Sequence, residues 1–319
     1  MSRNNSLSVA GFILLIALMP FIVGTGSYWI NVMVLIGIYS IINMGLSLLM
    51  GYAGQISLGH GAFFGMGAYA SGLLCTQLNF NPWLAMITAM LITCVVAYLI
   101  GLPTLRLQGH YLAMATLAFG QIVVITVTAE VGLTGGPSGF GSIPRLSIFG
   151  FVLIDDLIYY YFVWIMAATV LIISLNIIHS RVGRALRSIH GGEQAANAMG
   201  VNTAAYKLQV FVLSAAFASL AGSIYVHYVT FISPTSCALK FSVILVVMVA
   251  IGGMNHLWGA ILGTALLTAL PQFLKVFHDF DILAYGLILM LIMIFSPDGI
   301  FGGMASLINR LRHRHVKSG

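Results

Sequence analysis

Long apolar runs separated by short polar segments make up most of this chain. Within each run the residues are apolar on every side of a helix, which is typical of helices that cross a membrane. The strands of an outer-membrane β-barrel would instead alternate polar and apolar residues over about ten positions. The pattern therefore predicts about ten membrane-spanning helices, in a range of about eight to ten. We place them at residues 7–24, 29–50, 55–75, 83–103, 109–129, 157–179, 207–230, 240–253, 257–275 and 283–297.

Two of the predicted spans differ from the others. The span at 55–75 is rich in glycine, and the span at 240–253 is short. A broken or re-entrant helix is tolerated within a membrane only where protein or a cavity lines it. These two spans are therefore the places where an interrupted helix is expected. The first apolar run follows Arg3 and lacks a small-x-small cleavage site, so we interpret it as an uncleaved span.

The composition supports a membrane protein. Hydrophobic residues make up 60% of the 319 residues and charged residues only 6%, whereas an average soluble domain carries roughly 25% charged residues. So little polar material cannot cover the surface of a soluble protein of this size. A soluble enzyme, a nucleic-acid-binding domain and a disordered chain are thereby excluded. The predicted fold class is an all-α polytopic membrane protein, with residues 1–319 forming a single transmembrane domain in the lipid bilayer.

The Lys and Arg residues indicate the orientation of the chain. The net charge is +6, but the basic residues occur in short clusters between the apolar runs, where they mark cytoplasmic segments. With the N-terminus inside, the inner segments carry Arg3, Arg106, Arg181, Arg184, Arg187, Lys207, Arg310, Arg312, Arg314 and Lys317, and the outer segments carry Arg145, Lys240 and Lys275. This asymmetry predicts that both termini are cytoplasmic, with the basic tail 304–319 lying on anionic lipid.

The polar segment 180–206 is the most informative. Arg184 and Arg187 are three residues apart, so they share one flank of a helix that continues from the preceding span. A glycine pair then breaks that helix. A second, short helix follows, with Glu193 in its first turn and Gly200 as its C-terminal stop. Such a helix is suited to docking in a groove of another protein; a solvated loop anchored on lipid headgroups is the alternative.

Three stretches resemble motifs of a known family. Residues 193–200, EQAANAMG, resemble the E-A-A-x-x-x-G loop of ABC-importer permeases, with Glu193 displaced by one residue. Residues 51–69, GYAGQISLGHGAFFGMGAY, closely resemble an early G-Y-x-G-Q-x-S-L-G-H-x-x-F segment, and residues 133–139, LTGGPSG, resemble an external T-G-G-x-x-G loop. Through these motifs the chain resembles the permeases of branched-chain amino acid ABC transporters, from about residue 30 to residue 300.

The resemblance implies a fold like that of a type II ABC-importer permease, in the bacterial inner membrane. It implies ATP-driven import of branched-chain or other hydrophobic amino acids. The implied partners are two ABC ATPase subunits, a second, homologous permease subunit and a periplasmic substrate-binding protein. ATP and Mg²⁺ would bind to the ATPase, so no cofactor is expected on this chain. An ABC permease for urea, amides or other small solutes, and a stand-alone secondary transporter, are the alternatives.

In this family the segment 180–206 corresponds to a coupling loop, whose short helix sits in a cleft of the cytoplasmic ATPase. The resemblance therefore implies a role in coupling for a defined set of residues. They are Arg184, Arg187, Glu193, Ala195, Ala196, Met199 and Gly200.

A second set of polar and small residues lies in or beside the third predicted span. It consists of Gly51, Gln55, Ser57, Gly59 and His60. Such residues either line a translocation path or hydrogen-bond neighbouring helices at a glycine-rich crossing. No second His or acid lies at helical spacing from His60, so no metal site is expected. No cluster of acids and histidines points to catalysis, and no Gly-Lys of a phosphate-binding loop occurs, so ATP chemistry must come from another polypeptide.

Overall fold

The chain folds into a bundle of long apolar helices. The computed structural model describes residues 3–24, 28–107, 109–148 and 151–274, together with residues 286, 287, 290, 294 and 299. The described helices are α1 (Arg3–Val23), α2 (Tyr28–Ser47), α3 (His60–Gln77), α4 (Pro82–Thr104), α5 (His110–Ala129), α6 (Val131–Thr134), α7 (Asp156–His179), α8 (Arg181–Gly191), α9 (Glu193–Ala198), α10 (Thr203–Val229), α11 (Leu239–Gly252) and α12 (Leu257–Leu274). The described strands are β1 (Phe140–Gly141), β2 (Ser147–Ile148), β3 (Phe151–Val152) and β4 (Phe231–Ile232).

Nine of the ten predicted spans coincide with helices, namely α1 to α5, α7 and α10 to α12. The tenth, at 283–297, lies almost entirely outside the described residues. Five described helices are long and apolar enough to cross a membrane: α2 with a short extension, α4, α5, α7 and α10. The chain is therefore a predominantly helical, polytopic membrane protein.

The third span begins five residues later than predicted. Residues 53–59 are not helical, and α3 begins only at His60. The reason lies in the preceding backbone. Helix α2 ends in a π-helix, Leu48–Tyr52, and Gly54 then adopts a φ of +67°, in the left-handed region that favours glycine. These two features redirect the chain before the next helix can begin.

The eighth span is short, as expected. Helix α11 has 14 residues and is thus about 21 Å long, less than the roughly 30 Å of a bilayer's hydrocarbon core. A 3₁₀ turn, Pro234–Cys237, precedes it. At its other end α11 folds closely onto α12, because a Cβ on Gly252 would lie only 1.9 Å from the carbonyl oxygen of Gly259. Only glycines allow two backbones to approach this closely.

The centre of the bundle is the crossing of α10 with α3. A Cβ on Gly222 would lie 2.0 Å from the carbonyl oxygen of Phe64, and one on Gly67 would lie 2.2 Å from that of Ser219. The Ser223 hydroxyl donates a hydrogen bond to the Gly67 carbonyl at 3.1 Å. The two helices are therefore in backbone contact, with α10 also packed against α2 and α4.

The end of the bundle opposite α8 and α9 is closed by loops and short strands. Strand β1 pairs with β4 in antiparallel register, Phe140 opposite Ile232. The side chain of His227, on α10, joins this loop region to the bundle: one ring nitrogen lies 2.7 Å from the Pro144 carbonyl oxygen and the other 2.8 Å from the Ser71 hydroxyl. The predicted external loop 133–139 lies in this region.

Candidate functional site

The predicted coupling loop contains two helices, α8 and α9, between α7 and α10. The sequence-based expectation that α8 simply continues the preceding span is wrong. Helix α7 ends at His179, and Ser180 is extended, with φ −81° and ψ −177°. The Ser180 hydroxyl then accepts a hydrogen bond from the Val182 N–H at 3.1 Å and caps a new helix. Because of this break, α8 leaves the direction of α7.

Helix α8 has two different faces. Arg184 and Arg187 lie on an exposed flank, as predicted, whereas Leu186 and Ile189 are buried against the bundle. The Arg187 guanidinium is directed back to its own chain, because its Nη2 donates to the Ile178 carbonyl oxygen at 2.7 Å. It thereby satisfies a carbonyl at the C-terminus of α7, where positive charge is favourable. Arg184 lies on the same exposed flank, and the described contacts include no hydrogen bond from its side chain to α7.

Helix α9 ends in a Schellman motif. The Val201 N–H donates to the Ala196 carbonyl oxygen at 3.0 Å, and the Gly200 N–H donates to the Asn197 carbonyl oxygen at 2.9 Å. Gly200 has a φ of +84°, which is the left-handed conformation required at this position. The spacing Ala196-x-x-x-Gly200 therefore has a local physical cause, and the predicted helix stop is confirmed.

The predicted coupling residues on α9 divide between an outer and an inner side. Met199 is 84% exposed, and Ala195 is also exposed. Ala196 is buried against its own chain. Glu193 is directed inward, and its Oε1 lies 2.6 Å from the Nζ of Lys207 on α10. The structure thus leaves Ala195 and Met199 exposed and places Ala196 and Glu193 where they hold α9 on the bundle.

Sequence reasoning missed the role of Lys207, which it counted only as an inner positive charge. The lysine side chain is 2% exposed and the Glu193 side chain 21%. A single lysine near the start of an otherwise apolar helix was the available signal, because a charge at such a place needs a partner. Beside the pair lies a cavity of about 530 Å³ that residues of α4, α9 and α10 line together with Arg106.

The second predicted set, around α3, is brought together by hydrogen bonds. His60 is fully enclosed, with Nε2 2.6 Å from the Ser214 hydroxyl on α10 and Nδ1 3.1 Å from the Ser57 hydroxyl. Gln55 donates from Nε2 to the Ala53 carbonyl oxygen. The contact of His60 with Ser214 supports the helix-packing interpretation for His60, whereas the Gln55 bond stays within its own segment. Sequence reasoning did not identify Ser214, which lies 154 positions from His60.

The glycines of this set also lie at close contacts. A Cβ on Gly51 would lie 1.8 Å from the carbonyl oxygen of Met254, in the turn between α11 and α12. A Cβ on Gly59 would lie 3.0 Å from the carbonyl oxygen of Thr116 on α5. Most of the irregular segment between α2 and α3 is therefore packed against protein, which the membrane tolerates, although Gly54 and Ile56 are exposed. The segment also packs against α8, because a Cβ on Gly54 would lie 3.1 Å from His190 Nδ1.

We expect His60→Ala to destabilise the bundle. The substitution leaves the hydroxyls of Ser57 and Ser214 without their ring partner in an apolar interior, which costs about 2 to 3 kcal/mol. Thermal unfolding of the purified chain in detergent measures the effect. His110→Ala, at an exposed histidine, is the matched control and should unfold like the wild type. Equal unfolding of both variants would contradict a structural role for His60.

Among the described residues no group of three His, Cys, Asp or Glu side chains is arranged to hold a metal ion. The ring nitrogens of His60 face two serine hydroxyls, and the side chain is enclosed in the interior of the bundle. The arrangement is an exposed short helix held by a partly buried ion pair at one end of a closely packed bundle.

Comparison with known proteins identifies relatives of the chain. Residues 28–296 match the family described as branched-chain amino acid transport system / permease component. The permease protein LivM of the high-affinity branched-chain amino acid transport system of Salmonella typhimurium is 32% identical over 88% of this chain and 71% of its own length. LivM of Escherichia coli is 30% identical over 93% of this chain and 75% of its own. No solved structure matches the chain.

Proposed function

The chain belongs to the family of branched-chain amino acid transport system permease components, and we propose that its α9 is the helix through which an ATPase drives it. As a permease subunit of an ABC importer, it needs a contact that receives the energy of ATP hydrolysis. The observation that carries the proposal is the geometry of α9. This helix exposes Ala195 and Met199 while its opposite side is anchored to the bundle through Glu193.

The orientation follows from the same segment. In the proposed topology of about ten spans, both termini and the α8–α9 end face the cytoplasm of a bacterial cell, with the chain in the inner membrane. The exposed arginine flank of α8 supports this orientation, because basic residues concentrate on the cytoplasmic side. The closed end with β1 and β4 then faces outward. The basic tail 304–319 would lie on the cytoplasmic side, but it is outside the described residues.

The proposed assembly contains this chain, a second, homologous permease subunit, two ATPase subunits and a substrate-binding protein on the outer side. Each permease would present one coupling loop, residues 180–206, to one ATPase. Helix α5 offers a surface for the second permease, since only 17% of its most apolar 18-residue stretch is buried within this chain. ATP and Mg²⁺ belong to the ATPase in this proposal, and the permease domain 1–319 contributes movement rather than catalysis.

The proposed substrates are branched-chain or other hydrophobic amino acids. The names of the relatives support this class, and it is preferred over urea, amides or other small solutes. A stand-alone secondary transporter would have no use for a docked helix such as α9. Transport would proceed by alternating access, with α9 favouring one state when the ATPase subunits close. Differential contact between the two states has to supply the energy of that shift.

We expect the tagged chain, purified in mild detergent from its native membrane, to bring with it an ABC ATPase that mass spectrometry identifies. In vesicles the complex should take up labelled leucine only when ATP is supplied, and unlabelled isoleucine and valine should compete. Urea should not compete. Recovery of the chain alone, with leucine uptake in vesicles that lack ATP, would contradict the proposal and support a stand-alone transporter.

A further inference from the structure

The ion pair between Glu193 and Lys207 connects the exposed short helix α9 to α10, the longest of the described helices. Nζ and Oε1 are 2.6 Å apart, and Lys207 is almost completely enclosed. It is the one ion pair among the described residues. We propose that this pair is the link through which displacement of α9 moves α10. The inference rests on the proposed function, because it assumes that an ATPase moves α9.

A second contact strengthens the same junction. The Thr203 hydroxyl donates to the Asn197 side-chain oxygen at 3.0 Å and lies 3.4 Å from Glu193 Oε1. Thr203 is the first residue of α10 and is buried. Two acceptors on α9 therefore hold the first and second turns of α10. The chain also joins the two helices directly through residues 199–202, and these side-chain contacts act beside that connection.

Helix α10 is suited to carry a displacement across the bundle. It has 27 residues and is thus about 40 Å long. Near its middle Ser214 is bonded to His60 of α3, and near its far end His227 contacts the Pro144 carbonyl oxygen in the opposite loop. Because α10 is one continuous helix, a shift at Lys207 would also move Ser214 at the crossing with α3 and His227 at the loops of the opposite end.

Removing one charge of the pair or both charges separates a role in transmitting movement from a role in stability alone. Removing one partner of a buried ion pair leaves an uncompensated charge and destabilises the fold, whereas removing both charges is often nearly neutral. A variant without either charge therefore retains the fold and lacks only the strong, directional bond. If the pair serves stability alone, that variant should behave like the wild type in transport.

The variants that test the link are Lys207→Met, the neutral double variant Glu193→Gln with Lys207→Met, and the exchange Glu193→Lys with Lys207→Glu. Lys240→Met, at an exposed lysine near the opposite end of the bundle, is the matched control. Each complex is purified through the permease, the amount of bound ATPase is measured, and the complex is placed in lipid vesicles. The decisive quantity is the number of leucine molecules imported per ATP hydrolysed.

We expect the neutral double variant to bind the ATPase in wild-type amounts but to import about tenfold less leucine per ATP, within the range seen for residues that transmit coupling. The exchange variant should recover part of the wild-type number of leucine molecules imported per ATP. Lys240→Met should leave that number unchanged. A neutral double variant with the wild-type ratio would overturn the link while leaving the proposed function intact. Loss of the ATPase from the wild-type preparation would instead overturn the proposed function, and the link with it.

Discussion

Gly222→Ala is expected to remove most of the folded protein from the membrane. The added methyl group would lie 2.0 Å from the Phe64 carbonyl oxygen and 3.1 Å from the Ala68 amide nitrogen. Both are backbone atoms, so the clash cannot be relieved by rotating a side chain, and α3 and α10 must separate. Separation breaks the central crossing of the bundle and should cost at least about 3 kcal/mol. The amount of monodisperse protein in detergent, and its unfolding temperature, measure this effect.

Gly120→Ala is the matched control for this prediction. Gly120 lies on α5, and a Cβ there would meet no atom closer than 3.8 Å. The same substitution should therefore be neutral or stabilising by about 0.5 to 1 kcal/mol, because alanine favours the helix more than glycine does. If Gly222→Ala and Gly120→Ala gave the same yield and unfolding temperature, the close contact of α3 with α10 would be disproved.

Met199→Asp is expected to weaken binding of the ATPase strongly without affecting the fold. Met199 is the most exposed large apolar side chain described in the chain, at 84%, and lies at the end of α9. A carboxylate in an apolar groove of the partner would be desolvated without a counter-ion, and loss of a central contact costs about 2 kcal/mol or more. We therefore expect at least about a 30-fold weaker affinity, measured with purified ATPase and permease.

The conservative variant Met199→Leu retains an apolar side chain of similar size and should bind the ATPase almost as well as the wild type. Unfolding temperatures should be equal for the three proteins, since an exposed side chain contributes little to the fold. ATPase binding by Met199→Asp at wild-type affinity would mean that the partner does not dock on this part of α9. The proposed coupling surface would then be wrong.

The positions of the helices were largely predictable from the sequence. A span must be apolar over its whole length, so its signal is local and strong, and the runs at 29–50 and 157–179 coincide with α2 and α7 within a few residues. The delayed start of α3 was less visible. It depends on the left-handed Gly54 and on a π-helix, which are small changes of backbone geometry that hydrophobicity does not report.

In the coupling segment 180–206 the ends of the helices were predictable from the sequence, but the contacts of the side chains were not. The glycine break after α8 and the stop at Gly200 were predictable, because a glycine's conformational freedom acts within one or two turns. The directions of the side chains were not. The sequence-based interpretation assigned Ala196 and Glu193 to a partner, whereas Ala196 is buried in its own chain and Glu193 binds Lys207.

The resemblance of its motifs indicated a permease family, and the residue pattern by itself determined that this chain is a polytopic membrane protein with a short helix in its longest polar loop. These properties depend on apolar length, charge asymmetry and glycine positions, all of which act locally. Only the tertiary structure decided which face of α9 is free and which residues hold the bundle together. The partners of His60 and Asn43, namely Ser214 and Thr264, lie 154 and 221 positions away. Contacts at that separation arise when whole helices pack, because the membrane makes each buried polar group find a partner wherever the fold brings one.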